Sequence, residues 1–242
     1  MKIRHILSLI ICFFTLAVFA QEDNLEEPYS GALGSGGTAY GIKGGATLAT
    51  QTWNGYQRNA LYSYHADAFV EVLGAWKDKN ETGSFRRSSF QAQLGYHRKG
   101  SAFRNIFFQN GNPPPNVFHN VSLGFLGKGA FKIKEKQNVY YGIGLHVDYT
   151  ITYQLQGFGA QSGVNRFNYG IWLGGGYEWG LSEGLALFVE LSISPDISKQ
   201  VFIPPGVPTQ FTDPISGQVI LSTEQKVYNL PLELSIGIKF IN

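Results

Sequence analysis

Tyr141-Gly142-Ile143-Gly144-Leu145-His146-Val147-Asp148-Tyr149-Thr150-Ile151 alternates without a break between apolar and polar or small residues. Tyr141, Ile143, Leu145, Val147, Tyr149 and Ile151 fall on one side, and Gly142, Gly144, His146, Asp148 and Thr150 on the other. Successive side chains of a β-strand point to opposite faces, so this period of two predicts a strand with one apolar and one polar face.

The same split recurs on both sides of that stretch. Before it, Val117, Val121, Leu123, Phe125, Phe131 and Ile133 oppose Asn120, Ser122, Gly124, Lys128 and Lys132. After it, Phe167, Tyr169, Ile171, Leu173 and Tyr177 oppose Asn168, Gly170, Gly174, Gly176 and Glu178. Leu185 to Ile193 sets its apolar residues against Glu190 and Ser192, and Leu230 to Phe240 sets them against Glu233, Ser235, Gly237 and Lys239. Nearer the N-terminus, Ala66, Ala68, Val70 and Val72 face away from His65, Asp67 and Glu71. Phe90, Ala92, Leu94 and Tyr96 do the same against Gln91, Gln93 and His97. Tyr40–Leu48 is the weakest segment, with Lys43 and Thr47 on its polar side. Eight alternating segments predict an all-β chain, an eight-stranded antiparallel transmembrane β-barrel over residues 38–242.

The connections follow a two-sided pattern. With both termini on one side, the far connections are Ala49–Leu61, Gly100–Asn116, Gln154–Arg166 and the long Ile197–Lys226. Near-side connections Lys134–Asn138 and Gly180–Gly184 are tight, while Gly74–Arg87 is longer. Short periplasmic turns and long external loops are usual in outer-membrane barrels, so both termini are expected to be periplasmic.

Export is expected from the first residues. Lys2, Arg4 and His5 precede an apolar run from Ile6 to Phe19, and Val18-Phe19-Ala20 offers a cleavage site, so residues 1–20 read as a signal peptide. Cys12 lies within the apolar run rather than at its end, which argues against a lipoprotein. Residues 21–37, acidic and then Gly/Ser-rich, read as a flexible periplasmic segment. Cleavage removes the single Cys and the single Met, and with Lys2 and Arg4 gone the 19 basic residues come down to 17, matching the 17 acidic ones. A near-neutral chain carries no electrostatic footprint for nucleic acid, and the missing thiol removes disulfides and Cys-based metal sites. Charged residues make up only 15% against aromatic residues at 14%, well below the usual quarter or so of charged residues in a soluble domain.

Period two does not say which face is inside. Glycine on the polar face suits a crowded lumen, and Tyr140, Tyr141, Tyr153, Tyr169, Tyr177, Trp179 and Phe240 near strand ends suit interfacial girdles. Phe240, near the end of an apolar-alternating last strand, fits a barrel-assembly signal. The lipid bilayer is thus the expected surroundings, with lipopolysaccharide a candidate contact. A polar lumen would hold Lys43, Asp67, Glu71, Lys128, His146, Asp148, Glu178, Glu190, Glu233 and Lys239, and also His65, His97 and Lys99. Balanced charges in so narrow a bore should pair and seal it. His146/Asp148 and His65/Asp67 are same-face pairs able to move protons, yet two-residue spacing is what any polar strand face provides, so no catalytic residue is assigned. No His-containing cluster stands at metal-ligand spacing, and no cofactor is expected. Val201, Phe202, Ile203 and Phe211 in the proline-rich far loop are the candidate partner contacts.

Several stretches together resemble the PorT-like outer-membrane β-barrel family of Bacteroidetes: Gly41-Ile42-Lys43-Gly44-Gly45, Phe90 to Gly100, Tyr141-Gly142-Ile143-Gly144, Phe167-Asn168-Tyr169-Gly170, Gly174-Gly175-Gly176-Tyr177-Glu178 and Leu230 to Phe240. The resemblance covers essentially the whole mature chain and carries no catalytic residues. It implies a non-enzymatic scaffold or accessory subunit of an outer-membrane assembly, with the type 9 secretion and gliding machinery as the process. A small-solute pore and a hydrolase or acyltransferase relying on His146 or His65 are the alternatives.

Overall fold

The computed structural model describes residues 36–54, 56–79, 84–102, 114–155, 163–212, 216–221 and 223–242. The signal peptide and most of the periplasmic segment expected from the sequence therefore lie outside the described residues.

Among the described residues thirteen strands follow one another. They are β1 (Gly37–Trp53), β2 (Tyr56–Gln57), β3 (Leu61–Leu73), β4 (Lys77–Lys79), β5 (Ser84–Ser101), β6 (Asn116–Lys134) and β7 (Gln137–Gln154). Next come β8 (Phe167–Ser182), β9 (Leu185–Ile193), β10 (Val201–Ile203), β11 (Pro208–Thr212), β12 (Val219–Leu221) and β13 (Gln225–Ile241). Eight of them form a ring in the order β1-β3-β5-β6-β7-β8-β9-β13, every neighbour antiparallel. The ring closes by pairing β1 with β13 from Ala39↔Ile241 to Trp53↔Val227. Closure leaves no open sheet edge, which is the condition for putting strands into lipid.

The apolar stripes face outward. Along β7, Ile143 is 61% exposed while His146 is 3% exposed. Ile42, Val70, Leu94, Leu123, Leu173, Leu191 and Ile236 continue this apolar wall around the barrel. A wall of bare aliphatic and aromatic groups around a charged interior is stable in hydrocarbon and costly in water, so the exterior is a bilayer-facing surface.

Short elements decorate both ends. Glu135-Lys136 and Glu183-Gly184 make the tight near-side turns. Within the longer Gly74–Arg87 connection, β4 pairs back on β5, from Lys77↔Arg86 to Lys79↔Ser84. At the far end β10 pairs with β13 (Val201↔Val227, Ile203↔Gln225), so the long loop begins as an added stave, and β11 and β12 form a separate hairpin.

Strict alternation fails in a few places. A register shift lies between His119 and Asn120, where Asn120 pairs with Thr150 but His119 with Thr152. The extra residue, Ile151, reverses the facing of β7 beyond it, as bulges do. Tyr153 consequently packs on the buried cluster with Phe118 instead of joining a girdle. Tyr140 also departs from the girdle reading: it is 5% exposed and points into the lumen. Val117, expected on the lipid face, is buried with Ala49 and Leu61. Gly100, directly opposite it, adopts a φ of +146°, and the strand pair loses its alternation there.

Candidate functional site

The interior is filled in layers, best followed from the termini toward the long loop. The first layer is ionic. Lys239 Nζ contacts both Glu178 and Glu71, the latter at 3.4 Å. Lys128 stands 3.9 Å from Glu71, Arg87 3.7 Å from Glu178, and Ser89 Oγ donates to Glu71. Phe69 and Phe188 meet edge to face above it at 5.7 Å, with Tyr140 against Phe188. Gly237 makes room for the Phe188 ring, since a Cβ there would run into it. Tyr140 Oη donates to Glu190 (3.0 Å), which also accepts from Lys43 Nζ (2.5 Å). Lys43 lies 5.7 Å over the ring of Trp172, itself 2% exposed.

A histidine layer follows. His97 Nδ1 lies 2.7 Å from Glu233 and Nε2 2.9 Å from Asp67. Ionised carboxylates only accept, so both ring nitrogens carry protons and His97 is an imidazolium bridging two anions. His65 stacks on His97 at 5.5 Å and bonds Thr47 and Ser235, not Asp67. The expected His65/Asp67 pair is therefore not made. Asp67 is instead taken up by His97, the residue directly opposite His65 on β5.

Beyond this, Lys99 Nζ bridges Asp148 (2.5 Å) and Asp196 (3.1 Å), and His146 Nε2 lies 3.1 Å from Asp196. Gly170 lets the Ser194-Pro195-Asp196 segment enter the bore, because a Cβ there would strike Pro195 and Asp196 backbone. Folding thus creates a cluster absent from sequence spacing: His146, Asp148 and Asp196 offer ligand atoms within 4.8 Å of one another. The Lys99 ammonium already supplies the positive charge between the two carboxylates. Asn229 then links Asp196, Gln200 and Gln51, and Gln51 accepts from Ser101.

An apolar cap closes the far end. Trp53, Phe118, Val201, Ile203 and Val227 form one buried cluster, and the Arg58 guanidinium stacks 3.8 Å over the Trp53 ring. Burial lowers Arg58 to about 10, leaving it cationic at neutral pH. Two expected partner contacts are therefore corrected: Val201 (0% exposed) and Ile203 (1%) are turned inward by pairing with β13 and cover the barrel's own mouth. Phe202, between them, points outward beneath Lys199. The Phe211 side chain lies outside the described residues.

The ten titratable groups named for the lumen are buried or nearly so in the structure. Folding joins them in separate sets: Glu71, Lys128, Glu178 and Lys239; Lys43 with Glu190; Asp67 with Glu233 through His97; and Asp148 with His146. Asp196, Arg87, Trp172, Phe69 and Phe188 were not expected there. For Trp172, Phe69 and Phe188 the signal was available, as each shares parity with a polar neighbour (Gly170, Asp67, Glu190); Asp196 lies past the end of β9, where periodicity stops.

No protein-family model matches the chain, and no curated protein matches it in sequence. Solved structures similar to it include Neisserial surface protein A, at 13% identity over 84% of this chain and 97% of that one, with a TM-score of 0.46. Another is OprG, an outer membrane protein from Pseudomonas aeruginosa: 12% identity, 85% and 97% coverage, TM-score 0.44. A third is Ail, the attachment invasion locus protein of Yersinia pestis: 11% identity, 85% and 99% coverage, TM-score 0.38.

Proposed function

We propose that this chain is a non-enzymatic outer-membrane β-barrel, exported by its signal peptide and inserted with both termini in the periplasm. It acts as a scaffold or accessory subunit of a larger outer-membrane assembly. The observation that carries the reading is the filled bore: ionic, aromatic, histidine, amide and apolar layers succeed one another from end to end. His65 and His146, the residues an enzymatic reading needs, are each 3% exposed and engaged inside this packing. Work is then left to the outer wall and the loops. The resemblance to PorT-like barrels supports the type 9 secretion and gliding machinery as the assembly.

The test is affinity purification of the tagged protein from outer membranes in mild detergent, with mass spectrometry of what accompanies it. Stoichiometric recovery of larger outer-membrane or periplasmic secretion proteins is expected. Recovery as a lone monomer under every gentle condition overturns the reading.

A further inference from the structure

The outer wall is apolar except at its two rims, and on β5 the rims can be located. Its outward side chains run Arg86, Ser88, Phe90, Ala92, Leu94, Tyr96, Arg98. The twelve-residue interval from Arg86 to Arg98 corresponds to about 30 Å along the membrane normal, for a rise of about 3.3 Å per residue and a tilt of about 40°. That matches a hydrocarbon core of about 25–30 Å. Arg86 and Arg98 therefore sit at opposite headgroup levels, and Arg98 is the one at the loop end.

Arg98 is not alone there. Its cross-strand neighbour on β6 is His119, aimed outward next to the register shift. Tyr96 Oη lies 2.5 Å from His119 Nδ1, and Tyr64 stacks on Tyr96 at 5.8 Å. The Tyr96 hydroxyl takes up Nδ1, which leaves Nε2 as the His119 ring nitrogen to meet an outside group. Among the described residues Arg98 has no carboxylate partner. The loop-end rim adds Arg166, Lys199 and Lys226 against a single described acid, Glu224, and that acid is held by Lys226 at 2.8 Å. At the opposite rim the turns interleave Lys134, Glu135 and Lys136 and add Glu183.

A guanidinium on a lipid-facing wall is stable at headgroup level, where water or a phosphate accepts its hydrogen bonds, and Arg98, unlike Arg86, has an imidazole directly opposite it to share such an anion. We infer that Arg98 and His119, framed by Tyr64 and Tyr96, form a docking site for the phosphate of an outer-leaflet lipid headgroup. The occupant is a lipid-borne phosphate because the site opens sideways onto the bilayer. This rests on the loop end being the outer one, as in the function proposed above.

The test uses the full-length mature barrel in phosphatidylcholine nanodiscs, doped with lipid A bisphosphate or with its dephosphorylated counterpart, and native mass spectrometry of the lipid retained on release. Preferential retention of the bisphosphate is expected, falling on the order of tenfold in Arg98→Gln and His119→Gln and staying unchanged in Arg86→Gln. Excess inorganic phosphate is expected not to compete. Equal retention of both lipids, or undiminished retention in Arg98→Gln, overturns the site, as does competition by free phosphate. Capture of an acidic protein through Arg98 with no lipid preference overturns it in favour of a protein partner. If Arg98→Gln does not reach the heat-modifiable folded form, Arg98→Lys and His119→Gln decide the matter. Orientation is read separately, by labelling Thr223→Cys in intact cells with an impermeant maleimide. Because nanodiscs expose both rims to the same lipids, an inverted barrel fails the labelling while the lipid assay still reports on Arg98.

Discussion

The two ends of this barrel are closed by opposite chemistry. At the termini, Glu71, Arg87, Lys128, Glu178 and Lys239 interlock, every one of them mounted on a barrel strand. At the loops, Trp53, Phe118 and Val227 are covered by Val201 and Ile203 from a short stave held by three residue pairs of β10 with β13. A buried charge that loses its partner cannot relax into hydrocarbon, so the ionic end should hold or fail with the whole barrel. An apolar strap that lifts exposes only a few side chains, so the loop end should open locally while the ring stays closed.

Removing the Lys239 ammonium tests the ionic end hardest. Lys239→Met leaves Glu71 and Glu178 short of a cation and should lower global stability by about 3–5 kcal/mol, read from urea unfolding of the vesicle-reconstituted protein. A loss under about 1 kcal/mol would break the contrast by showing that the layer readjusts. Ile203→Ala should cost about 2–4 kcal/mol, yet the loss should appear in hydrogen exchange of the Val201–Val227 region while the global urea midpoint hardly moves. A matching shift of the midpoint would make cap and ring one cooperative unit. Tyr140→Phe removes the donor to Glu190 between the two ends and should cost about 1–2 kcal/mol in the same unfolding assay. Least affected should be conductance. With Val201 and Ile203 both changed to Ser, planar-bilayer recordings should stay silent, because the layers below still fill the bore. Steady channels would show the cap to be the only seal.

Legibility in the sequence followed periodicity. Wherever alternation ran unbroken, as through Tyr141 to Thr150, both the strand and the inward-facing His146 and Asp148 could be read directly. The same rule would have put Phe69, Trp172 and Phe188 in the lumen, but an expectation that lumen residues are polar hides them. Their inward placement is possible because glycines such as Gly174 and Gly237 clear space where their rings lie. Irregular backbone was opaque: Ile151 at the register shift, Gly100 with its unusual φ, and the Ser194–Asp196 intrusion carry no period, so Tyr153, Val117 and Asp196 came out misplaced or unseen. Partner choice was opaque for another reason. Which lysine meets which glutamate depends on strand register around a closed ring, and Lys43 finds Glu190, 147 positions away.

The seam where the ring closes has a consequence of its own. The Asn242 amide donates to the Thr38 carbonyl at 2.9 Å, so the described start of the first barrel strand and the end of the last one meet at one rim. Topologically the finished cylinder has no first stave. A short linker joining these ends, with a new break at Glu135-Lys136, should yield a circular permutant with the same wall and the same filling. Strand order along the gene is then a matter of delivery: it sets which stave reaches the membrane last, while the finished barrel keeps no record of it.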